Sequence, residues 1–259
     1  MIGAIIQARM SSDRLPGKVM KQVAGQPLLF YLVTRLRQSK RIQTIILATS
    51  VEYADDPIVT WAISNGITTY RGSLNDVLDR YYCVAKIYGL KHVVRITGDC
   101  PLVDPEICDR LIELYLNSSA DYARLSTKFA EGLDCEVISF DALEASHQNA
   151  KVMSEREHVT LYARNQPKKF RSVTLDNIAD DSRYRITVDN EEDFEVVSTI
   201  MNDFLNHAGN LTISWPAIRK YADNNPDLMK RNVHIERNEG LKKSLLADCN
   251  RNSNLKDSI

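Results

Sequence analysis

Apolar and polar positions alternate along the first half of the chain in a regular order. Ile2 to Ala8 is a nearly continuous apolar run rich in isoleucine, the pattern of a strand buried on both faces of a parallel sheet. Pro27 to Gln38 follows as a helix, with Leu28, Leu29, Leu32 and Leu36 close to helical spacing. Thr44 to Thr49 then predicts a strand, 55–65 a helix ending before Gly66, and 67–70 a short strand. A helix over 75–88 stops at Gly89, and a strand runs from His92 to Thr97. Asp104 is placed to cap the next helix, in which Ile107, Leu111 and Leu114 form one apolar stripe. Strand and helix taking turns imply a parallel sheet with right-handed crossovers, an α/β doubly wound fold.

The rhythm changes near Ala120. Strands are expected at 120–125 and 133–140, joined by a polar connection containing Gly132. Asp141 starts a short helix, and Ser154 to Asn165 predicts another. Further strands are expected at 169–175 and 183–188. A helix over 191–206 then carries Phe194, Val197, Met201 and Phe204 on one face. The stretch 120–180 thus reads as a small inserted subdomain leaving a mostly parallel sheet that the chain later rejoins. From Lys242 the sequence is polar, rich in Asn and Ser, and expected to be frayed, so that 1–240 forms the domain and 241–259 a flexible tail.

Composition narrows the function classes. Of 259 residues, 44% are hydrophobic and 26% charged, as in a globular protein. Lys and Arg total 33 against 34 Asp and Glu, so a net charge of -1 gives no support for binding nucleic acid or an anionic membrane. The longest apolar stretch, Pro27 to Val33, is far short of the roughly 20 residues of a spanning helix. No signal peptide fits the start, where Arg9 interrupts the apolar run. Five cysteines without a CxxC pair argue against a disulfide framework or structural zinc and point to a reducing cytoplasm.

The loop after the first strand carries the most chemistry. Gln7-Ala-Arg-Met-Ser-Ser-Asp-Arg-Leu-Pro-Gly-Lys18 places Arg9, Arg14 and Lys18 within ten residues. In a doubly wound sheet, ligands sit beyond the carboxyl ends of the strands. Cations there, with Ser11, Ser12 and Gly17 permitting close backbone approach, suit a polyphosphate better than a solvated surface loop. The segment is no P-loop, since Ser12 stands where glycine is required and Val19 where Ser or Thr is required, and no GxGxxG occurs. Asp99 and Asp189 each follow an expected strand, and both would reach the edge where Lys18 lies. Two carboxylates beside a triphosphate suggest Mg2+. Taken singly, Asp99 is equally a turn residue before Cys100-Pro101, and Asp189 equally an acid favoured at a helix start.

The segment Ile5-Ile-Gln-Ala-Arg-Met-Ser-Ser-Asp-Arg-Leu-Pro-Gly-Lys-Val19 resembles the opening of the CTP-dependent acidic-sugar cytidylyltransferases, which activate sialic, pseudaminic, legionaminic and deoxy-octulosonic acids as CMP conjugates. Four further segments resemble the branch named for spore coat polysaccharide biosynthesis. They are Arg71-Gly-Ser-Leu-Asn-Asp-Val-Leu-Asp-Arg-Tyr81, Arg95-Ile-Thr-Gly-Asp-Cys-Pro101, Glu131-Gly-Leu-Asp-Cys-Glu-Val137 and Arg156-Glu-His-Val-Thr160. The late stretch Asn225-Pro-Asp-Leu with Arg237-Asn-Glu-Gly240 is also similar, so the resemblance runs from Met1 to about Gly240. Ala130 and Leu161 depart from the pattern, each standing where proline is expected.

The resemblance implies a Rossmann-like nucleotidyltransferase fold, a homodimer and cytoplasmic function in surface polysaccharide biosynthesis. Arg9 and Lys18 would bind CTP phosphates and serve as catalytic cations; Ala8, Ser11, Ser12, Arg14 and Asp99 would line the nucleotide site. Arg71, Ser73 and Arg80 would line the cytidine pocket, and Asp99 with Asp189 would hold Mg2+. The region 120–180 would close over the acceptor and pack in the dimer.

For that acceptor, the residues themselves offer Asp134 and Glu136, which alternate on one expected strand, and Arg183 and Arg185 on another. Glu136 suits sugar hydroxyls, Arg185 a carboxylate, and His158 a hydrogen bond or proton transfer, although each is equally a structural polar residue. A phosphorylated sugar, polyol or amide acceptor remains open. A nucleotide-sugar glycosyltransferase would commonly carry an Asp-x-Asp metal motif, absent here. A nucleotide-binding partner without catalysis would not be expected to keep Lys18, Asp99 and Asp189 together.

Overall fold

The fold was read from a computed structural model that describes residues 1–208 and 213–256. Among these, strand β1 (Ile2–Gln7) leads through the basic loop to a two-residue hairpin, β2 (Gln22–Val23) and β3 (Gln26–Pro27). Helix α1 (Leu28–Leu36), strand β4 (Thr44–Ser50), helix α2 (Asp56–Ser64), strand β5 (Thr68–Gly72), helix α3 (Val77–Ile87) and strand β6 (His92–Thr97) follow in the expected alternation. Asp104 caps α4 (Pro105–Asn117), accepting from the backbone N–H groups of Glu106 and Ile107 at 2.9 and 3.1 Å.

The second half adds β7 (Tyr122–Leu125), β8 (Glu136–Ser139), α5 (Phe140–Asn149), α6 (Met153–Glu157), α7 (Leu161–Arg164) and β9 (Ser172–Leu175). It ends with α8 (Glu191–Ala208), α9 (Trp215–Asn224), α10 (Pro226–Met229) and α11 (Glu239–Lys256). One seven-stranded sheet runs in the order β5-β4-β1-β6-β8-β7-β9. Only β8 is antiparallel to its neighbours β6 and β7. Strands β7, β8 and β9 therefore extend the main sheet instead of forming a sheet of their own.

β1 sits at the centre, between β4 and β6, because both of its faces are apolar. Ala4 and Ile6 enter one core with Leu28, Leu32 and Leu111, while Ile5 enters the opposite core with Ile46, Tyr81 and Val84. Ile5 and Ile6 are fully buried, each worth about 1.5–3 kcal/mol of transfer free energy. That double anchorage fixes where β1 ends, and so where the basic loop begins.

Three expectations are corrected. Residues 183–188 are not a ladder strand: every residue from Tyr184 to Val188 is buried, Arg185 and Thr187 included, but the segment makes a single parallel bridge, Glu131 to Arg185. Beside the bridge, Gly132 has a φ of 108° and its backbone lies so close to Ile186 and Thr187 that an added Cβ would come within 2.4 Å of the Thr187 nitrogen, an approach only glycine allows. The helix expected over 154–165 is broken into α6 and α7, with Thr160 between them directing its hydroxyl to Glu136 at 2.9 Å. The polar stretch after Lys242 is helical to Lys256, and polar contacts dock it: Ser154 N–H donates to Asp248 at 3.0 Å, and Ser244 Oγ to Glu157 at 2.7 Å.

Candidate active site

The basic loop leaves β1 and is pinned at once. Met10 N–H donates to Asp55 Oδ1 at 2.7 Å, while Asp55 Oδ2 accepts from the Thr49 hydroxyl and from Ser50 N–H at the end of β4. Burial alone would raise the Asp55 pKa, but these donors more than offset it and hold the group ionised below its ordinary range. Met10 O then accepts from both Ser12 N–H and Gly17 N–H, folding the loop back on itself. Gly17 completes the turn in the left-handed region with φ 70°, a conformation that favours glycine. Lys18 begins the following 3-10 turn with its stem packed inward, its side chain 12% exposed.

Lys18 ends between the two aspartates singled out above. Its Nζ lies 2.9 Å from Asp99 Oδ2 and 2.7 Å from Asp189 Oδ1, across 81 and 171 residues of sequence. Burial by itself would lower the ammonium pKa; Asp99 and Asp189 reverse that and raise it. Asp99 is correspondingly held below the carboxylate range, with burial opposing and Lys18 and the Thr97 hydroxyl prevailing. The backbones are tied as well: Val188 N–H donates to Asp99 O at 2.8 Å.

Asp189 is also oriented by Arg14, 2.9 Å away, and by Arg185 Nη2 at 3.1 Å. Arg185 itself is buried and committed to Asp193, Glu131 and Asp189. The expected role for Arg185 in meeting an acceptor carboxylate is therefore corrected to one of holding Asp189 in place. Asp193, missed by sequence reading, supports the same corner by accepting from the N–H groups of Asp189 and Asn190.

Two pockets adjoin at this triad. Ala8, Arg9, Ser12, Arg14, Lys18 and Arg80 line the first, with Asp99 and Asp189 at its floor. Arg9 is half exposed, with only a 3.8 Å contact to Glu157. Ser11 is exposed and off the wall. Arg71 and Ser73 also lie outside both pockets: Arg71 donates to the carbonyls of Ser50 and Glu52 and pairs with Asp56, and the Ser73 carbonyl receives Arg80. Of the three residues expected around a base, the structure brings only Arg80 to the pocket.

Asp134, Glu136 and His158 line the second pocket together with Asp99 and Asp189, so three of the four residues expected around the acceptor converge there and Arg185 does not. Glu136 receives Arg95 at 2.6 Å, Thr160 at 2.9 Å and the Tyr122 hydroxyl, which together overcome burial and keep it ionised. His158 Nε2 lies 3.1 Å from Ser244 Oγ; burial first, then Arg95, lowers its pKa and favours the neutral ring. Arg124, Arg164 and Arg237 also face this pocket; Arg237 belongs to a stretch that carries the family resemblance, whereas Arg124 and Arg164 were not singled out in the sequence. Arg237 donates to the carbonyls of Thr127 and Phe129, whereas Arg124 and Arg164 make no ion pair among the described residues. Gln7 lines both pockets, and its buried Oε1 has no hydrogen-bond partner. No group of three or more His, Cys, Asp or Glu side chains is arranged as a metal cage among the described residues, and no helix is long and apolar enough to cross a membrane.

Comparison with known proteins identifies relatives across most of the chain. The family model described as cytidylyltransferase matches residues 3–216. The spore coat polysaccharide biosynthesis protein SpsF of Bacillus subtilis is 36% identical over 203 residues, covering 76% of this chain and 84% of its own. The 3-deoxy-manno-octulosonate cytidylyltransferase of Yersinia enterocolitica is 28% identical over 236 residues, covering 88% and 80%. A solved cytidylyltransferase from Leptospira borgpetersenii superposes with a TM-score of 0.83 at 33% identity, covering 88% of this chain and 96% of that one. The family-model match over residues 3–216 and the 36% identity to SpsF over 76% of this chain place it in the cytidylyltransferase family of CTP-dependent nucleotidyltransferases.

Proposed function

We propose that the protein transfers CMP from CTP to an acidic sugar of the ulosonic or nonulosonic type, releasing pyrophosphate, for surface polysaccharide synthesis. The observation that carries this reading is the Lys18 bridge between Asp99 and Asp189, set where a cation-lined pocket meets an arginine-rich one. The first pocket suits the triphosphate and the second an anionic acceptor, with Arg124 and Arg164 available for its carboxylate. The Yersinia relative, which acts on 3-deoxy-manno-octulosonate by name, supports a sugar acid over a phosphorylated polyol.

In this reading an acceptor hydroxyl attacks the α-phosphorus in line, a new O–P bond forms, and the bridging P–O bond to pyrophosphate breaks. Neutral His158 is placed at the acceptor wall to take the hydroxyl proton. Lys18 and Arg9 neutralise charge on the departing pyrophosphate, so alignment and electrostatics carry the rate. Asp99 and Asp189 already hold one cation between hard oxygen donors, which fits Mg2+. Asp99 and Asp189 would hold Mg2+, which would supply neutralisation of the charge on the phosphate oxygens. The region 120–180 forms the acceptor wall, and β9 leaves a sheet edge at which a second copy would pack in a homodimer.

The test is a panel of nucleoside triphosphates against sugar acids and phosphorylated acceptors with Mg2+, read by pyrophosphate release. Asp99→Asn is expected to lower the rate about a hundredfold, the loss of about 3 kcal/mol of preorganised stabilisation. Release at the wild-type rate would refute the assignment.

A further inference from the structure

The first pocket has a wall that lies outside the segment matched by the family. Gly240, Lys243, Ser244, Ala247 and Arg251 line it from α11, whereas the family match ends at residue 216. The helix is not held by a core: Leu245 and Leu246 are 40% and 64% exposed. Polar contacts hold it instead, from Ser244 to Glu157 and His158 and from Asp248 to Ser154.

At its first turn the helix holds an anion against the basic loop. Glu239 Oε2 lies 2.6 Å from Arg14 Nη1, and Glu239 Oε1 lies 2.6 Å from Lys243 Nζ. One carboxylate is thus clamped between two cations that come from opposite walls. Lys243 is 65% exposed, so it is free to turn toward the pocket it lines. Arg14 spans this clamp and the metal-binding corner, since its Nη2 contacts Asp189 at 2.9 Å. A carboxylate and a phosphate edge present the same pair of oxygens to a guanidinium, and the phosphate carries more charge.

We infer that Lys243 and Arg14 form a phosphate seat of the nucleotide site, with Glu239 as its internal occupant until a triphosphate displaces it. This rests on the proposed nucleotide role of the first pocket. Displacement frees Glu239 from both cations, and α11 then contributes binding energy as well as a wall. Lys243 acts as a nucleotide-binding residue supplied by the C-terminal helix.

Equilibrium binding of CTP, CMP and cytidine to the full-length protein tests this without turnover. Lys243→Met is expected to weaken CTP about tenfold, to reduce the salt dependence of CTP binding, and to leave cytidine unchanged. Glu239→Gln is expected to tighten CTP severalfold, since the seat loses its competitor while the side chain keeps its size. Both positions are at the surface, and an unchanged Tm in each variant confirms that folding is intact. If wild-type protein binds CTP and both variants bind it equally well, the seat is refuted while the nucleotide pocket stands. If the wild type binds no triphosphate, the pocket assignment falls and the seat falls with it.

Discussion

Asp55 accepts a hydrogen bond from the backbone N–H of Met10 at 2.7 Å, joining the end of β4 to the loop that carries Arg9, Arg14 and Lys18. The carboxylate is buried and also serves the Thr49 hydroxyl and the Ser50 N–H, so nothing in water replaces it if it is lost. Asp55→Ala is expected to cost about 3 kcal/mol, from several buried donors left unpaired. Because the loop then loses its anchor, CTP affinity falls too. Denaturant melts and equilibrium CTP binding on one sample check both, and loss of stability with unchanged affinity would separate the anchor from the site.

Lys18 stands between the carboxylates that would hold Mg2+, so its removal has two opposite effects. Lys18→Met is expected to lower pyrophosphate release at least a hundredfold through loss of transition-state charge pairing. Without nucleotide, however, the variant binds Mg2+ or Mn2+ more tightly than wild type, because two close carboxylates lose their resident cation. Metal titration of the apo protein reads this directly. Equal or weaker metal binding by the variant would argue that Asp99 and Asp189 are not the ligands.

Asp55, Asp99 and Glu136 all titrate below the ordinary carboxylate range. A depressed carboxylate stabilises the fold above its unfolded pKa, and that contribution is lost as pH falls through the folded value. The wild type is therefore expected to lose stability progressively below about pH 4, where the unfolded carboxyls take up protons first. His158 adds a milder fall below about pH 6.5, since its folded pKa is lowered and the unfolded chain protonates earlier. His158→Gln should flatten the stability profile just below about pH 6.5. An identical profile in that variant would remove His158 from the account.

Two arginines separate support from recognition. Arg185 is surrounded by Asp193, Glu131 and Asp189, so Arg185→Met leaves buried carboxylates without a counter-charge and is expected to cost about 3–5 kcal/mol. Arg124 faces the second pocket without an ion pair. Arg124→Met is expected to raise the acceptor KM about tenfold, with stability and the CTP KM nearly unchanged, as for loss of one charge-assisted contact. Steady-state kinetics with each substrate varied in turn, beside thermal melts, distinguish the two residues. A large Tm loss for Arg124→Met would reverse its assignment.

The sequence by itself determined the alternating half of the fold and the basic loop. Ile2 to Ala8 is apolar on both faces, as a central parallel strand requires, and Thr44 to Thr49 and His92 to Thr97 pair with it as short, largely apolar runs. Lys18 and Asp99 were legible because a doubly wound sheet gathers its strand ends at one edge, whereas Asp189 reaches that edge on a segment that is not a strand of the sheet. Tertiary structure alone decided the rest. The apolar pattern of residues 183–188 marks a buried segment, but whether its backbone finds a ladder partner depends on residues far away in sequence, and only Glu131 bridges it. The fate of Arg185 likewise depended on where Glu131 and Asp193 arrived. The polar stretch from Lys242 carries too little apolar pattern to announce a helix; contacts with Glu157, His158 and Ser154 fix it across the pocket. Local patterns encode which faces avoid water, a property of neighbours in the chain. Pairing between distant polar groups is settled only when the closed core sets their separations.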